Sequence, residues 1–338
     1  MTSSVATAPR GDRPISGRSP RSRLADPLFQ WLLAGLAALV VVLIAFFFAF
    51  LFEKARPALA HQGIASFVTT NDWNPSRHIF GGWPLVAGTL ITSAIALVIG
   101  VPVAVSTALF ITELCPARLK SPLTALVELL AAVPSVVYGL WGVFVLIPRL
   151  KPAEQWFADT FSFLPFVGGP VAGPNYFIAG LILAIMILPI VSAISREVIA
   201  TVPSEQKEAA LALGATRWEM IRMAVLPYSR AGIVGASMLG LGRAIGETIA
   251  VTLVIGNSST VGKQVFDQGY TLAAVIANEF GEAANDKLHS GALIAAGLVL
   301  FVLTLVINAI ARGLVIRAER RMSRGAPRPA AALSGSAA

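Results

Sequence analysis

Two charged residues, Arg243 and Glu247, lie within an apolar segment at residues 233–255. An arginine at the centre of a membrane helix costs about 2.5–3.5 kcal/mol on insertion scales, so its guanidinium is expected to face a partner or a watery cavity. A guanidinium fork also matches the oxygens of a phosphate group. If the segment is one helix, the two residues share a face, and the pair either neutralises itself or lines a path for an anion.

A second polar group lies in the apolar run at residues 123–147. Glu128 is followed by Pro134 and Ser135 near the midpoint of the run, and by Tyr138 one turn later. A proline within a membrane helix predicts a kink with a freed backbone carbonyl, which is tolerated beside neighbouring helices or a cavity. The hydroxyl groups of Ser135 and Tyr138 can serve such a cavity, whereas Ser135 can instead bond back to its own helix.

A polar island, residues 204–227, separates two long apolar segments. The island is expected to form two short helices. The first begins with a cap at Ser204 and ends in a left-handed turn at Gly214, and the second begins with a capping box of Thr216 with Glu219 and stops at Pro227. A short, polar, alanine-rich helix has little to bury against lipid. The island therefore predicts a docking surface for a soluble partner, with a plain amphipathic surface helix as the alternative.

The composition places these groups in a membrane protein. Of the 338 residues, 56% are hydrophobic and 13% are charged, and the mean hydropathy is +0.74. A stretch of about 20 apolar residues is long enough to span the hydrocarbon core of a bilayer. Six such runs predict an all-α protein with six transmembrane helices, at about residues 28–52, 83–110, 123–147, 176–195, 233–255 and 288–316.

The positive charges set the expected orientation of these helices. The segments that include both termini and the polar island hold 18 Lys and Arg residues, whereas the opposite side holds seven. The positive-inside rule then places both termini and the island in the cytoplasm. The predicted organisation is a disordered basic tail at residues 1–26, a six-helix domain at residues 27–317 that contains the island, and a second disordered tail at residues 318–338.

Several kinds of site are excluded by residue type and spacing. The single Cys115 cannot form an internal disulfide, and no Cys/His cluster has metal-ligand spacing. The three histidines, including His289, are expected on the solvated surface. The nearest approach to a Walker phosphate loop, residues 256–263, has the wrong glycine spacing and continues with Gln264. The sequence therefore predicts no catalytic site, and no metal or cofactor of its own.

The island resembles the cytoplasmic EAA loop of ABC importer permeases. The residues that carry the resemblance are Glu208, Ala209, Ala210, Gly214, Leu226 and Pro227. Ala224 stands where that pattern usually has Ile. The resemblance implies a type I ABC importer permease fold, in which this loop is the coupling helix that docks on an ATPase subunit.

Three further stretches resemble the C-type subunit of phosphate-specific permeases. They are Gly242 to Thr248 with its continuation to Asn257, Glu128 to Gly142, and the outer Trp73-Asn74-Pro75. The resemblance covers about residues 28–316 and implies an ATP-driven phosphate importer in the bacterial plasma membrane. The residues predicted for the translocation path are Arg243, Glu247, Glu128, Ser135 and Tyr138.

The same resemblance implies a set of partners. They are a second, A-type permease subunit in a heterodimer, two ATPase subunits that hold ATP and Mg²⁺, an extracytoplasmic phosphate-binding protein, inorganic phosphate and membrane lipid. Nucleic acid is not an expected partner, because the basic residues flank apolar runs and form no patch with interleaved aromatics. Two alternatives stay open: a permease for another oxyanion, molybdate or sulfate, and a secondary anion transporter.

Overall fold

The structure, a computed structural model, describes the chain from residue 20 to residue 323, without the side chains of residues 20–26, 314, 315 and 317–323. Residues 1–19 and 324–338, which belong to the tails predicted at residues 1–26 and 318–338, therefore lie outside the described residues. The chain divides into two compact units, residues 1–50 and 51–338. In the first unit, the side chains of residues 27–50 are all exposed, and most of them are apolar.

Almost all of the described secondary structure is helical. The α-helices are α1 (Pro20–Gln62), α2 (Ile64–Thr69), α3 (Trp83–Leu109), α4 (Ala117–Ala132), α5 (Ser135–Trp141), α6 (Ile147–Thr160), α7 (Tyr176–Ala200), α8 (Ser204–Ala212), α9 (Arg217–Met220), α10 (Leu226–Gly246), α11 (Ile249–Val254), α12 (Leu272–Glu279) and α13 (Lys287–Ser323). The strands β1 (Trp73–Asn74) and β2 (Ile79–Phe80) pair antiparallel. The predicted all-α fold is thereby confirmed.

Three π turns interrupt or join these helices. They lie at Phe110–Leu114 after α3, at Gly142–Leu146 between α5 and α6, and at Ile221–Val225 between α9 and α10. A π turn bonds each residue to the one five positions away, so it holds one more residue than an α-helical turn. Shorter 3₁₀ turns lie at Pro75–Arg77 and Glu282–Asn285.

Five segments of the described chain are long and apolar enough to cross a membrane. They are Pro27–Gln62, Trp83–Leu114, Ser135–Thr160, Tyr176–Ala200 and Lys287–Gly313. Two of the predicted runs differ from the structure. The run at 123–147 is divided between α4 and the span that begins at Ser135, and the run at 233–255 is interrupted after Gly246. The prediction of one continuous helix over residues 233–255 is therefore wrong.

The outermost helices also extend beyond the predicted domain. Helix α1 begins at Pro20, within the segment predicted as a tail, and α13 continues to Ser323, past the predicted boundary at residue 317. Both extensions are rich in arginine, which has a high helix propensity and does not itself end a helix. A change from apolar to charged composition therefore marks where a membrane span ends, and the helix itself can continue.

The core of the second unit is α7, which packs against both α3 and α10. Two glycines permit the close approach. A Cβ added at Gly180 would lie 2.5 Å from the side chain of Ile95 on α3, and one added at Gly240 of α10 would lie 2.7 Å from Val191 on α7. Both distances are too short for a side chain, so small residues are required at these helix contacts. This packing holds α10 against the buried centre of the unit.

A buried cluster joins the segment between α1 and α3 to α12 and the start of α13. Trp73 packs edge-on against Phe67 and Phe80, and its indole N–H donates to the carboxylate of Glu279 at 2.9 Å. The Nε2 atom of His289 lies 2.9 Å from the same carboxylate. His289 is only 6% exposed, so its predicted place on the solvated surface is wrong. A buried imidazole needs a hydrogen-bond partner, and Glu279 supplies it.

Candidate functional site

The kink predicted at Pro134 is a complete break between α4 and α5. Val133 and Pro134 have extended backbone, with ψ of 125° and 140°. A proline ring disfavours helical backbone in the residue before it, which explains why α4 ends at Ala132. Tyr138, in the first turn of α5, donates its hydroxyl hydrogen to the carbonyl oxygen of Leu130 at 2.8 Å. The helical donor to that carbonyl would have been the nitrogen of residue 134, which as a proline carries no hydrogen.

The two other polar residues of this run lie on either side of the break. Ser135 is the first residue of α5 and is half-buried. The Glu128 carboxylate forms an ion pair with Arg196 of α7 at 3.1 Å, and its side chain is 59% exposed. Sequence reasoning treated Arg196 only as one of the cytoplasmic positive charges. No spacing rule connects two residues on different helices, so nothing in the sequence pointed to this pair.

A second break follows Gly246, where α10 ends. Glu247 has extended backbone with ψ of 129°, and α11 begins at Ile249. The Glu247 carboxylate accepts the N–H of Ala250 at 3.4 Å and so supplies an acceptor for one of the unpaired donors in the first turn of α11. A negative charge at that position also interacts favourably with the positive end of the helix. Gly246 has a low helix propensity, which favours the break at this point.

Because of this break, Arg243 and Glu247 are not neighbours on one helical face. Within the described part of the chain no ion pair joins them, and the Arg243 side chain is exposed. Mutual neutralisation across one helical turn is therefore contradicted by the structure. Arg243 lies instead in the neighbourhood of Tyr138, on the other broken segment. The structure thus associates Arg243 with Tyr138, and Glu247 with the start of α11.

The two short helices that follow the breaks pack directly on each other. A Cβ added at Gly139 of α5 would lie 2.7 Å from the side chain of Leu253 and 3.0 Å from the Cα atom of Ala250, both on α11. Any larger residue at this position would force the two helices apart. Gly139 therefore keeps α5 and α11 in close contact, so that the helices with the two breaks form one site.

The polar island folds partly as predicted. Gly214 follows α8 with φ of +85°, and the N–H of Ala215 donates to the carbonyl of Ala210 at 3.2 Å, so the left-handed turn is confirmed. Ser204 does not cap α8, because it is the first helical residue. The cap position belongs to Pro203, whose ring fixes φ at −56° and whose extended ψ of 136° turns the chain into the helix.

The capping box of the second island helix is confirmed. The N–H of Glu219 donates to the Thr216 hydroxyl oxygen at 3.3 Å, and the Thr216 N–H donates to the Glu219 carboxylate at 2.8 Å. The hydrogen bonds from the backbone and hydroxyl of Thr216 lower the pKa of Glu219, because they favour its charged form.

Pro227 does not stop the second island helix, which contradicts the prediction. Helix α9 continues through the π turn Ile221–Val225 into α10, and Pro227 lies in the first turn of α10. Proline is tolerated there because the N–H groups of a first turn need no helical acceptor. The island is therefore continuous with the helix that carries Arg243.

The residues of the EAA pattern lie on different faces of the island. Glu208 and Ala209 are exposed, whereas Ala210 and Leu226 pack against a buried apolar cluster. A groove of about 550 Å³ runs beside α8, lined by residues of α8, of the Gly214 turn and of the following π turn. Leu213 at this groove is 90% exposed.

One contact of the island was not predicted from the sequence. The Nζ atom of Lys207 lies 2.6 Å from Oε1 of Glu113, in the π turn that follows α3. Lys207 was counted only among the positive charges, Glu113 was not singled out, and their separation of 94 positions gives no local signal.

Comparisons with known proteins agree on the family. The sequence profile described as "Binding-protein-dependent transport system inner membrane component" matches residues 100–320. The phosphate transport system permease protein PstC of Mesorhizobium japonicum is 45% identical, over 89% of this chain and 93% of its own. PstC of Xylella fastidiosa (strain Temecula1) is 40% identical over 95% of this chain and 99% of its own. PstC 2 of Mycobacterium tuberculosis is 44% identical over 87% of this chain and 92% of its own.

Two solved structures share the fold. A bacterial ABC transporter involved in the import of the acidic polysaccharide alginate aligns with a TM-score of 0.56 at 19% identity, over 87% of this chain and 99% of that chain. The second structure is the bacterial alginate ABC transporter in complex with an alginate pentasaccharide-bound periplasmic protein. It aligns with a TM-score of 0.58 at 18% identity, over 87% of this chain and 96% of that chain. At such identities the likeness shows the fold alone, which is that of a type I ABC importer permease.

The fold and the family profile define the class of this protein. The chain belongs to the family of inner membrane components of binding-protein-dependent transport systems, and it is a multi-pass membrane permease subunit, not an enzyme. Within that family it is a member of the phosphate transport system permeases of the PstC type, the C-type subunits that the sequence resemblance indicated. The alternative of a secondary anion transporter does not fit this membership.

Proposed function

We propose that this chain forms half of the translocation path of an ATP-driven phosphate importer. Relatives that are 40–46% identical over most of the chain are named as phosphate transport permeases. The observation in the chain itself that supports an anionic substrate is the exposed guanidinium of Arg243, which has no carboxylate partner among the described residues. A charge within the membrane needs compensation, and a phosphate ion in transit provides it.

The proposed path follows the two helix breaks. Non-helical backbone at membrane depth is tolerated only where it is buried in protein or lines a water-filled cavity. The residues assigned to the path are Arg243, Glu247, Glu128, Ser135 and Tyr138. Because the Glu247 carboxylate accepts the N–H of Ala250, it does not neutralise Arg243. The positive charge of Arg243 therefore remains available to the substrate. Transport also requires weak binding, and exposure to water keeps the hold of Arg243 on phosphate reversible.

The proposed contact with the ATPase lies on the island. The residues assigned to it are Glu208, Ala209, Ala210, Gly214, Leu226 and Pro227. Glu208 and Ala209 are exposed on α8, where a partner can reach them. ATP and Mg²⁺ belong to two partner ATPase subunits in this proposal, and this chain binds no cofactor. Closure of the ATPases would move α8 and, through the π turn and α10, shift the permease between inward-open and outward-open states.

The remaining partners complete the proposed importer. They are an A-type permease subunit in a heterodimer and an extracytoplasmic phosphate-binding protein. Exposed apolar side chains such as Val137 on α5 and Leu239 on α10 suit a second membrane-embedded subunit as well as lipid. The chain would lie in the bacterial plasma membrane with both termini in the cytoplasm, which the distribution of Lys and Arg supports.

The test is transport by the purified complex in lipid vesicles. Labelled phosphate, sulfate and molybdate are supplied outside with the binding protein, and ATP is supplied to the ATPase side. We expect ATP-dependent uptake with a preference for phosphate. A preference for sulfate or molybdate would contradict the substrate, and uptake that follows a proton or sodium gradient without ATP would contradict the mechanism.

A further inference from the structure

Helix α8 has an outer face and an inner face. Glu208 and Ala209 are exposed on the outer face. On the inner face, Ala210 packs against a buried apolar cluster that includes Met220 and Val225. Met220 ends α9, and Val225 ends the π turn that leads into α10. This apolar contact therefore connects α8 to the helix that carries the substrate-facing arginine.

The inner face makes a second contact of a different kind, the ion pair between Lys207 and Glu113. The two charged atoms are 2.6 Å apart, and the side chain of Glu113 is only 8% exposed, against 21% for Lys207. Salt screens such a shielded pair much less than a surface pair. Glu113 lies in the π turn Phe110–Leu114, at the end of the membrane span that begins at Trp83. The pair thus ties α8 to the second span.

The apolar contact and the ion pair transmit force differently. Apolar packing is non-directional, and a small patch resists compression more strongly than separation. A shielded ion pair resists separation, because pulling it apart leaves two charges without partners in a poorly hydrated place. A movement of α8 toward the membrane is therefore passed on by the apolar cluster, and a movement away from it is passed on by Lys207 pulling on Glu113.

The π turn that receives this force is suited to movement. A π turn has a less regular hydrogen-bond pattern than an α-helix, and such turns occur frequently at functional sites. The turn ends at Leu114. The next residue, Cys115, has extended backbone with ψ of 132°, and α4 begins at Ala117. A displacement of Glu113 therefore reaches α3 on one side and α4, with the break at Pro134, on the other.

We propose that the Lys207–Glu113 ion pair couples the movement of α8 to the second span and to α4, as a route separate from the one that runs into α10. Both are positioning residues, and neither contacts phosphate or the ATPase. The proposal rests on the proposed function, because it takes α8 as the helix that docks on the ATPase.

The test uses the complete complex in vesicles and measures phosphate transported per ATP hydrolysed. Lys207→Gln and Glu113→Gln are each expected to lower this ratio by about tenfold, within the usual range of coupling between sites, while the complex still assembles and hydrolyses ATP. The charge exchange Lys207→Glu with Glu113→Lys is expected to restore most of the ratio. Lys120→Gln removes an exposed lysine of α4 that forms no ion pair in the described chain, and it should leave the ratio unchanged.

Three outcomes would overturn the proposal. In the first, the ratio stays at the wild-type value in both single variants. In the second, the ratio falls in the single variants and does not recover in the exchanged pair. In the third, the single variants fail to assemble and the exchanged pair restores assembly with a normal ratio, which would show that the pair serves assembly alone. Failure of the proposed function is distinguishable, because then the wild-type complex itself would not transport phosphate.

Discussion

The hydroxyl group of Tyr138 donates its hydrogen bond to the carbonyl of Leu130, which the proline at position 134 has deprived of a helical donor. One side chain thereby supplies the donor for the carbonyl that the break between α4 and α5 leaves unpaired. The same hydroxyl lies within the electrostatic reach of Arg243. Tyr138 thus connects the break in one segment to the charge on the other.

Tyr138→Phe removes this hydrogen bond and keeps the ring. We expect a loss of about 1–3 kcal/mol in stability, because a poorly hydrated carbonyl is left without a donor. Thermal unfolding of the purified complex in detergent measures the change. Tyr228→Phe is the matched control, since Tyr228 is 51% exposed and forms no hydrogen bond in the described chain. Equal unfolding temperatures for both variants would contradict the assigned role of the Tyr138 hydroxyl.

Arg243→Ala is expected to abolish phosphate uptake while the complex still assembles, because it removes the charge that compensates the anion. Arg243→Lys keeps the charge and loses the planar fork, so it should retain part of the activity. Vesicle uptake and gel filtration measure the two properties separately. If Arg243→Ala instead prevents assembly, the residue serves packing against a partner and not the substrate.

Glu208→Ala is expected to weaken the association with the ATPase and to lower uptake, because Glu208 lies on the exposed face of α8. Co-purification of the ATPase with the tagged permease measures the association. Glu205→Ala, in the first turn of the same helix, is an exposed acidic control that lies outside the EAA pattern. Normal association and normal uptake with Glu208→Ala would refute the assignment of α8 as the coupling helix.

The capping box predicts a pH dependence for the island. Since the pKa of Glu219 is lowered in the folded chain, its carboxylate stabilises the start of α9 at pH above its ordinary pKa of 4.5, and this stabilisation is lost as the pH falls through the lowered value. Hydrogen exchange of the amides in residues 217–220 should therefore gain protection as the pH rises, after correction for the intrinsic exchange rate.

Glu219→Gln is the control for this pH dependence. Glutamine can still accept the Thr216 N–H, but it does not titrate, so the corrected protection should be nearly constant with pH. A pH dependence of the same size in the glutamine variant would assign the effect to another group.

Some features that depend on neighbouring residues in sequence were predicted correctly, whereas the local signals at Ser204 and Pro227 were misread. The Gly214 turn and the Thr216–Glu219 capping box need only residues within one or two turns, and both are present. The proline at residue 134 likewise marks a break on its own, although the sequence indicated only a kink. Apolar runs indicated the five spans, because a span must match the thickness of the membrane, although the run at 123–147 is divided and the run at 233–255 is interrupted.

The other missed features are of two kinds, a local helix break hidden within an apolar run and contacts between distant segments. The expected pairing of Arg243 with Glu247 assumed a continuous helix, and the break between them is stabilised by a carboxylate at the start of a new helix. Ion pairs such as that of Glu128 with Arg196 join segments far apart in the chain. Sequence spacing contains no information about which distant helices meet, so these contacts could not be predicted.

The π turn Ile221–Val225 also sets the angular phase between the island and Arg243. Each residue of an α-helix advances the chain by about 100° around its axis. A change of this turn to regular α-helix, with no residue deleted, would no longer take up its extra residue locally and would rotate α10 by about that angle relative to α9. The guanidinium would then point away from its present direction while every residue of the path and of the coupling surface was retained. Transport by this protein therefore depends on the conformation of the π turn as well as on the identity of the residues in the path.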